Sequence, residues 1–433
     1  MKRIITLMTL VLAAICAKAE NYPHRSDYLW TAIPDHADWL YTTGQKARIE
    51  VTLLKYGMPF EGTISYEVAD DLAESDIKGN ATLKNGRCIL EIPGKKKPGF
   101  RDIRLLARDG DREYRHHVKI GFSPEKIEPV TVEPADFNEF WENTIAQARE
   151  FPLGYTMEPS PEYSTDKIDA YLVKLMVNRS QGIYAYLFFP KERRLGGHPV
   201  VLCPPGAGVK TIKEPLRHKY YAENGFVRFE TEIHGMNPTW SEQDFKDIQS
   251  AFSSRDNGYL INGISDRDRY YMRHVYGGMV AAMRYLQSLP EWDGRNLAVQ
   301  GGSQGGALAL ITAALCKDVT LCVVNHPALT DMAGYAEKGR TGGYPNWKNS
   351  GILSPQNIKT LAYYDVINFC RYVKCPVRMT WGYNDSTCSP TTSYAAWNTL
   401  NCPKEPFITP INEHWTSETM ERQHMEWIKS KLK

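Results

Sequence analysis

Residues Gly301-Gly302-Ser303-Gln304-Gly305 carry the spacing G-x-S-x-G. A serine hydroxyl so placed becomes a nucleophile when a base stands beside it, and it then opens carboxylic esters or amides. Glycine costs conformational entropy in any regular element. Four of them around one serine, Gly301, Gly302, Gly305 and Gly306, therefore need a reason. A turn that must pass close to a strand and a helix supplies one. The bland alternative is a Gly-rich turn with a solvated serine and no chemistry around it.

The flanks separate the two readings. Residues 297–300 read as a strand and 306–316 as a helix, so Ser303 sits on a sharp strand-to-helix turn, the nucleophile elbow. The helix start offers backbone N–H groups and partial positive charge to an oxyanion. In hydrolases built this way the chain order is serine, then carboxylate, then histidine. Asp385 ends the strand-like run "VRMTWGYND", and His414 follows "PFITPINE". Only His326, His414 and His424 come after Ser303. His326 adjoins Pro327 and reads as a packing residue. His424 falls in an expected last helix (417–432), on its surface. The order thus selects Ser303 as nucleophile, His414 as base and Asp385 as the acid that orients it. Gln304 N–H is one expected oxyanion donor. The other should come from "PPGAG" (204–208), which follows the strand 199–203. Proline has no N–H, which leaves Gly206, Ala207 and Gly208, with Ala207 preferred.

Strands and helices alternate from about residue 134 onward, which implies a mostly parallel sheet with helices on both faces. Upstream, "KARIEVTLL" (46–54) alternates apolar and polar residues, and Asn85-Gly86 and Asp109-Gly110 read as hairpin turns. No helical period appears between about 40 and 122, so a small immunoglobulin-like β-sandwich is expected. Its aromatics Tyr41, Tyr56 and Phe60 are expected in the core. "SPEKIEPVTVEP" is a Pro-rich connector into an amphipathic helix carrying Phe137, Phe140 and Trp141. The division expected is a signal peptide (1–19), a sandwich (20–122), a linker (123–133) and an α/β-hydrolase domain (134–433).

Lys2 and Arg3 lead an apolar run that ends in Ala17-Lys18-Ala19, a signal-peptide pattern cleaved after Ala19. The chain is expected to be exported, to the periplasm or secreted. No other apolar run is long enough to span a membrane. The formal charge of +2 falls to about −1 once the three cations of residues 1–19 are removed. That leaves no basic face for nucleic acid. Eight cysteines remain after cleavage, with no C-x-x-C pair and no zinc spacing, so no metal is expected.

With these residues in view, the chain resembles the acetyl xylan esterase/cephalosporin-C deacetylase family of carbohydrate esterases. The resemblance runs over roughly 130–433. It rests on "EPADFNEFWENTIAQARE", "YYMRHVYGGMVAAMRYLQSLPEWDGRNLAVQGGSQGGALAL" and "LAYYDVINFCRYVKCPVRMTWGYNDSTCSPTTSYAAWN". It implies the same triad, oxyanion donors at Ala207 and Gln304, no cofactor, and acetylated sugars or small acetyl esters as substrates. It allows a homo-oligomer. Where the family has Arg-Gly-Gln this chain has His234-Gly235-Met236, which places His234 and Met236 at the expected substrate pocket. Where the family has a His-Gly-Tyr-like loop this chain has Pro205-Gly206-Ala207. Two other functions share these features: a serine peptidase of the prolyl-oligopeptidase type, and a glycan-binding protein with an inactive hydrolase domain.

Overall fold

The computed structural model describes residues 27–252 and 258–433, so the expected leader lies outside the described residues. The chain divides into two compact units. One holds the chain up to Asp70, Glu74–Lys97 and Arg101–Phe122; the other holds Asp71–Ala73, Pro98–Phe100 and Ser123–Lys433.

The first unit is built of strands β1 (Tyr28–Pro34), β2 (Leu40–Tyr41), β3 (Ala47–Lys55), β4 (Met58–Pro59), β5 (Gly62–Asp70), β6 (Ser75–Leu83), β7 (Arg87–Ile92), β8 (Gly99–Asp109) and β9 (Arg112–Phe122). They form a sheet of β1, β3, β4 and β7 and a second sheet in the order β2-β9-β8-β5-β6. In β3 the alternation holds: Ala47, Ile49, Val51 and Leu53 are buried and join one core with Ile64, Ile103 and Ile120 of the other sheet. Asn85 and Gly86 both take positive φ, as a tight hairpin turn requires. Tyr41 is buried and Phe60 packs on this core. Tyr56 differs from expectation and is 70% exposed. It sits at φ 50° in the turn between β3 and β4, which directs it away from either sheet.

In the second unit, helix α1 (Phe137–Glu150) buries Phe137, Phe140 and Trp141. A nine-stranded sheet follows, of β10 (Tyr155–Pro159), β11 (Ile168–Met176), β12 (Gly182–Pro190), β13 (His198–Cys203), β14 (Val227–Thr231), β15 (Trp292–Gly302), β16 (Leu321–Asn325), β17 (Val377–Trp381) and β18 (Lys404–Ile408). Its order is β10-β11-β12-β14-β13-β15-β16-β17-β18. The pairs from β14 to β18 are parallel, and the three before them are antiparallel. This is the mostly parallel sheet of an α/β-hydrolase. The helices are α2 (Tyr220–Glu223), α3 (Glu242–Phe252), α4 (Tyr271–Ser288), α5 (Gln304–Leu315), α6 (Pro355–Ala362), α7 (Val366–Cys370), α8 (Pro390–Thr399) and α9 (Glu418–Ser430). On one face Val201, Cys203, Ala298 and Val323 pack with Tyr220 and Tyr221 of α2 and Met425, Trp427 and Ile428 of α9. Helix α5 follows the central strand β15 and is buried from Gln304 through Ala313, as a helix apolar on all sides must be. Among the described residues no helix is long and apolar enough to cross a membrane. All eight cysteines there are free, and six are buried.

The short segments Asp71–Ala73 and Pro98–Phe100 contribute directly to the second unit's packing. The Thr391 hydroxyl at the start of α8 donates to Asp71 Oδ2 at 2.7 Å. Phe100 is fully buried against the rings of Tyr383 and Tyr394, at 5.0 and 5.6 Å between centroids. Tyr383 stands two residues before Asp385, so Phe100 supports the loop that carries that carboxylate. Phe100→Ala should cost about 3–5 kcal/mol, read as a lower denaturant midpoint of the full chain. An unchanged midpoint would show that this ring is not part of the packed core.

Candidate active site

The elbow is set by steric limits. Ser303 itself takes φ 57° and ψ −124°, a strained conformation for a residue with a side chain. Its N–H donates to Asn325 O at 3.0 Å, and its carbonyl accepts from Ala307 and Ala328 N–H. The glycines around it are needed for close approach. A Cβ on Gly301 would lie 2.2 Å from Gly305 O, and one on Gly305 2.4 Å from Pro204 O. On Gly306 it would meet Asn325 O at 2.8 Å.

The structure brings Ser303, His414 and Asp385 together in a line. His414 Nε2 lies 3.0 Å from Ser303 Oγ, and Nδ1 lies 2.8 Å from Asp385 Oδ2. A carboxylate can only accept, so Nδ1–H donates to it and the Nε2 lone pair faces the hydroxyl. Asp385 is fully buried, and its other oxygen accepts from the Thr387 and Cys388 N–H groups at 2.7 and 2.8 Å. An arrangement of this kind can move a proton off the serine and hold the resulting imidazolium.

Gln304 begins α5, so its N–H has no partner within the helix. Its side chain is tied to the 204–208 loop by a residue that sequence reasoning missed. Tyr259 Oη donates to Gln304 Oε1 at 2.6 Å and accepts from Gly208 N–H at 3.1 Å. His234 holds the same glycine from its other side. Burial lowers the His234 imidazole to about 4, so the ring is neutral. Nε2–H donates to Gly208 O at 3.2 Å, and Nδ1 accepts from the Tyr271 hydroxyl at 2.9 Å. Ala207 is thus followed by a glycine whose N–H and carbonyl are both held. His234 also lines a cavity of about 330 Å3 with Tyr271, His274 and Trp240, whereas Met236 is buried and is not among its lining residues. The turn at 234–236 is gathered by Glu232, which accepts from the N–H groups of Tyr184, His234 and Gly235 at 2.6, 2.5 and 3.1 Å.

Two more residues stand behind the histidine. His326 is buried with its ring centroid 4.3 Å from that of His414. Glu421 on α9 accepts from Gln300 Nε2 at 2.7 Å, Asn325 Nδ2 at 2.9 Å and Thr416 Oγ1 at 2.7 Å. One carboxylate therefore joins the serine's strand, the neighbouring strand and the loop bearing His414. His424 is not on the surface of the last helix as expected. It is fully buried, stacked edge-on to Phe407, because α9 turns that side to the sheet. His326, His414 and Asp385 also present ligand atoms within 4.8 Å of one another. In this geometry His414 and Asp385 are already engaged with each other and with the serine.

A family model described as acetyl xylan esterase (AXE1) matches residues 125–431. Acetyl esterase Axe7A of Xylanibacter ruminicola is 51% identical over 435 residues, covering 100% of this chain and 98% of its own. Among solved structures, the acetyl xylan esterase of Paenibacillus sp. R4 aligns with a TM-score of 0.61 at 24% identity, over 71% of this chain and 98% of that one. Acetyl xylan esterase 1 of Thermoanaerobacterium sp. JW/SL YS485 aligns at 0.60 and 22% identity, over 71% and 97%.

Tyr259→Phe removes the link between Gly208 and Gln304 without changing volume. It should lower kcat on an aryl acetate about tenfold with little change in KM, since an aligned donor is worth more in the transition state than in the ground state. Wild-type kcat in this variant would mean that the bridge does not set the loop's position.

The buried titratable groups also fix an acid response. Burial lowers His234, His274 and His326 to about 4 and His424 to about 3. Below pH 6.5 the unfolded chain takes up four protons that the folded chain refuses, so stability falls towards pH 4. Burial raises Glu232 and Asp365 to about 7, which works in the opposite direction over the same window. Burial raises Asp331 in the same sense; four outweigh three, and the melting temperature should fall between pH 6.5 and 4. His424→Gln should flatten that fall by one proton. A melting temperature that rises on acidification through this window would contradict the assignment.

Proposed function

Because the chain belongs to the acetyl xylan esterase family, we propose that it is a serine esterase removing acetyl groups from acetylated sugars, xylo-oligosaccharides or related small acetyl esters. The observation that carries this reading is the continuous line Ser303 Oγ, His414 and Asp385, at 3.0 and 2.8 Å.

In the proposed cycle Ser303 Oγ forms a bond to the acetyl carbonyl carbon while its proton passes to His414 Nε2. Asp385 holds the imidazolium so formed. The carbonyl oxygen becomes an oxyanion facing the N–H groups of Ala207 and Gln304. Collapse breaks the bond to the sugar oxygen, which leaves with the proton from His414. Water then repeats the sequence on the acetyl-serine: His414 takes one proton, hydroxide adds, and acetic acid leaves, ionising to acetate in solution, as Ser303 regains the proton from His414. His234 acts on this cycle by holding Gly208.

The wider organisation proposed is an exported protein, periplasmic or secreted, with an immunoglobulin-like module (20–122), a linker (123–133) and a catalytic domain (134–433). The two sheets around one core in the first unit support the module, and the leader-like composition of residues 1–19 supports export.

The test is acetate release from acetylated xylo-oligosaccharides by wild type and Ser303→Ala. The variant should lose about 10⁴–10⁶ in rate with an unchanged circular dichroism spectrum. Retained turnover in the purified variant, or no acetate from any acetylated saccharide with wild type, would overturn the reading.

A further inference from the structure

The cavity of about 330 Å3 beside His234 is built by four separate segments. Lys174 and Met176 of β11 stand opposite Tyr184 and Gly182 of β12, and Gln181 lies in the turn between them. The turn after β14 adds His234 and Gly235. It is seated closely on that hairpin, since a Cβ on Gly235 would lie 2.9 Å from Gly182 O. Tyr271 and His274, one turn apart at the start of α4, form a third wall, and Trp240, just ahead of α3, a fourth. Every one of these residues is half-buried or exposed, so the walls are open surface and not sealed core. The volume falls within the usual range for small-molecule sites, about 300–1,000 Å3.

The groups on those walls specify what fits. No aspartate or glutamate is among the described residues that line the space. Burial lowers His234 and His274 to about 4, so neither ring is charged at neutral pH. Among the described lining residues Lys174 is therefore the one charge, and no carboxylate of the described residues pairs with it. Gln181 Oε1 accepts from Asn178 Nδ2 at 2.8 Å, which leaves its NH₂ to offer. Donors grouped on a positive charge call for a negative acceptor, and a carboxylate is the planar match. Tyr184 and Trp240 supply ring faces beside it, with Lys174 Nζ 5.8 Å from the Tyr184 centroid. Such apolar faces suit the C–H face of a pyranose ring. The geometry points to a binding site for the uronic acid unit of an acidic oligosaccharide, its carboxylate against Lys174 Nζ and Gln181 Nε2 and its ring against Tyr184 and Trp240. That the bound acid is a sugar rests on the esterase reading above. The His234 ring belongs both to this wall and to the hold on Gly208, so the site adjoins the loop of the expected oxyanion donor Ala207.

The test uses the full chain carrying Ser303→Ala, titrated by calorimetry with xylotriose bearing one glucuronic acid side group and with plain xylotriose. The acidic saccharide should bind about tenfold more tightly, the scale of one hydrogen bond to a charged group. Crystals soaked with it should show the carboxylate within hydrogen-bond distance of Lys174 Nζ. Lys174→Gln, on an exposed strand position, should abolish the preference and leave the affinity for plain xylotriose as it was. Trp240→Ala should weaken both saccharides several-fold. In the otherwise native enzyme Lys174→Gln should raise KM for the acetylated acidic trisaccharide and leave KM for its neutral counterpart and kcat on an aryl acetate unchanged. Equal affinity for the two saccharides, no binding of either, or a preference that survives Lys174→Gln would overturn the inference. Benzoate bound as tightly as the acidic trisaccharide would overturn its assignment to a sugar. Acetate release from acetylated saccharides with no preference for the acidic one would remove this inference alone. The preference without acetate release by wild type would remove the esterase reading alone.

Discussion

The second unit is organised around the left-handed backbone of Ser303. A side chain at φ 57° costs on the order of 1–3 kcal/mol, and such a conformation persists only when its surroundings over-determine it. Here Asn325 O takes the serine N–H, and Ala307 and Ala328 both donate to its carbonyl. Those bonds are possible only with β16 alongside β15 and α5 packed close to both. The distances from Gly301, Gly305 and Gly306 to neighbouring backbone leave no room for a methyl group. Strand order, helix seat and glycine content follow from one strained residue.

Around that turn, polar bonds link segments far apart in the chain. Glu421 gathers Gln300, Asn325 and Thr416, while Tyr259 joins Gly208 to Gln304. Burial keeps His234 and His326 uncharged, so neither places a second positive charge near His414 when that ring takes a proton. Both imidazoles therefore stay uncharged across the neutral range, whereas Glu232, raised to about 7 by burial, is the carboxyl beside the 234–236 turn that titrates within it.

The elbow was legible in the sequence because its signal is local: glycines, strand and helix lie within twenty residues. Asp385 and His414 could be assigned from chain order, since each follows a strand-like run. Tyr259, His326 and Glu421 could not. Each ties the site to residues more than forty positions away in the chain, and no period or spacing marks it. His424 was misplaced because its polarity argues for a surface, whereas Phe407 and Thr380 enclose it. Tyr56 erred the other way: an aromatic suggests a core, but a positive φ in a two-residue turn leaves it outside. Secondary-structure type was legible wherever apolar residues alternated or repeated. The exposed edge strand β10 offered no such pattern.

The free cysteines carry a consequence of their own. Burial pushes every one of the eight thiols up, from Cys88 to Cys402. Thiol–disulfide exchange begins with thiolate, so groups held protonated, six of them also buried, are poor partners for it. The native state thus needs no oxidant to form and offers little for one to attack. Its integrity is decoupled from redox poise, and the same packed chain suits an oxidising or a reducing milieu.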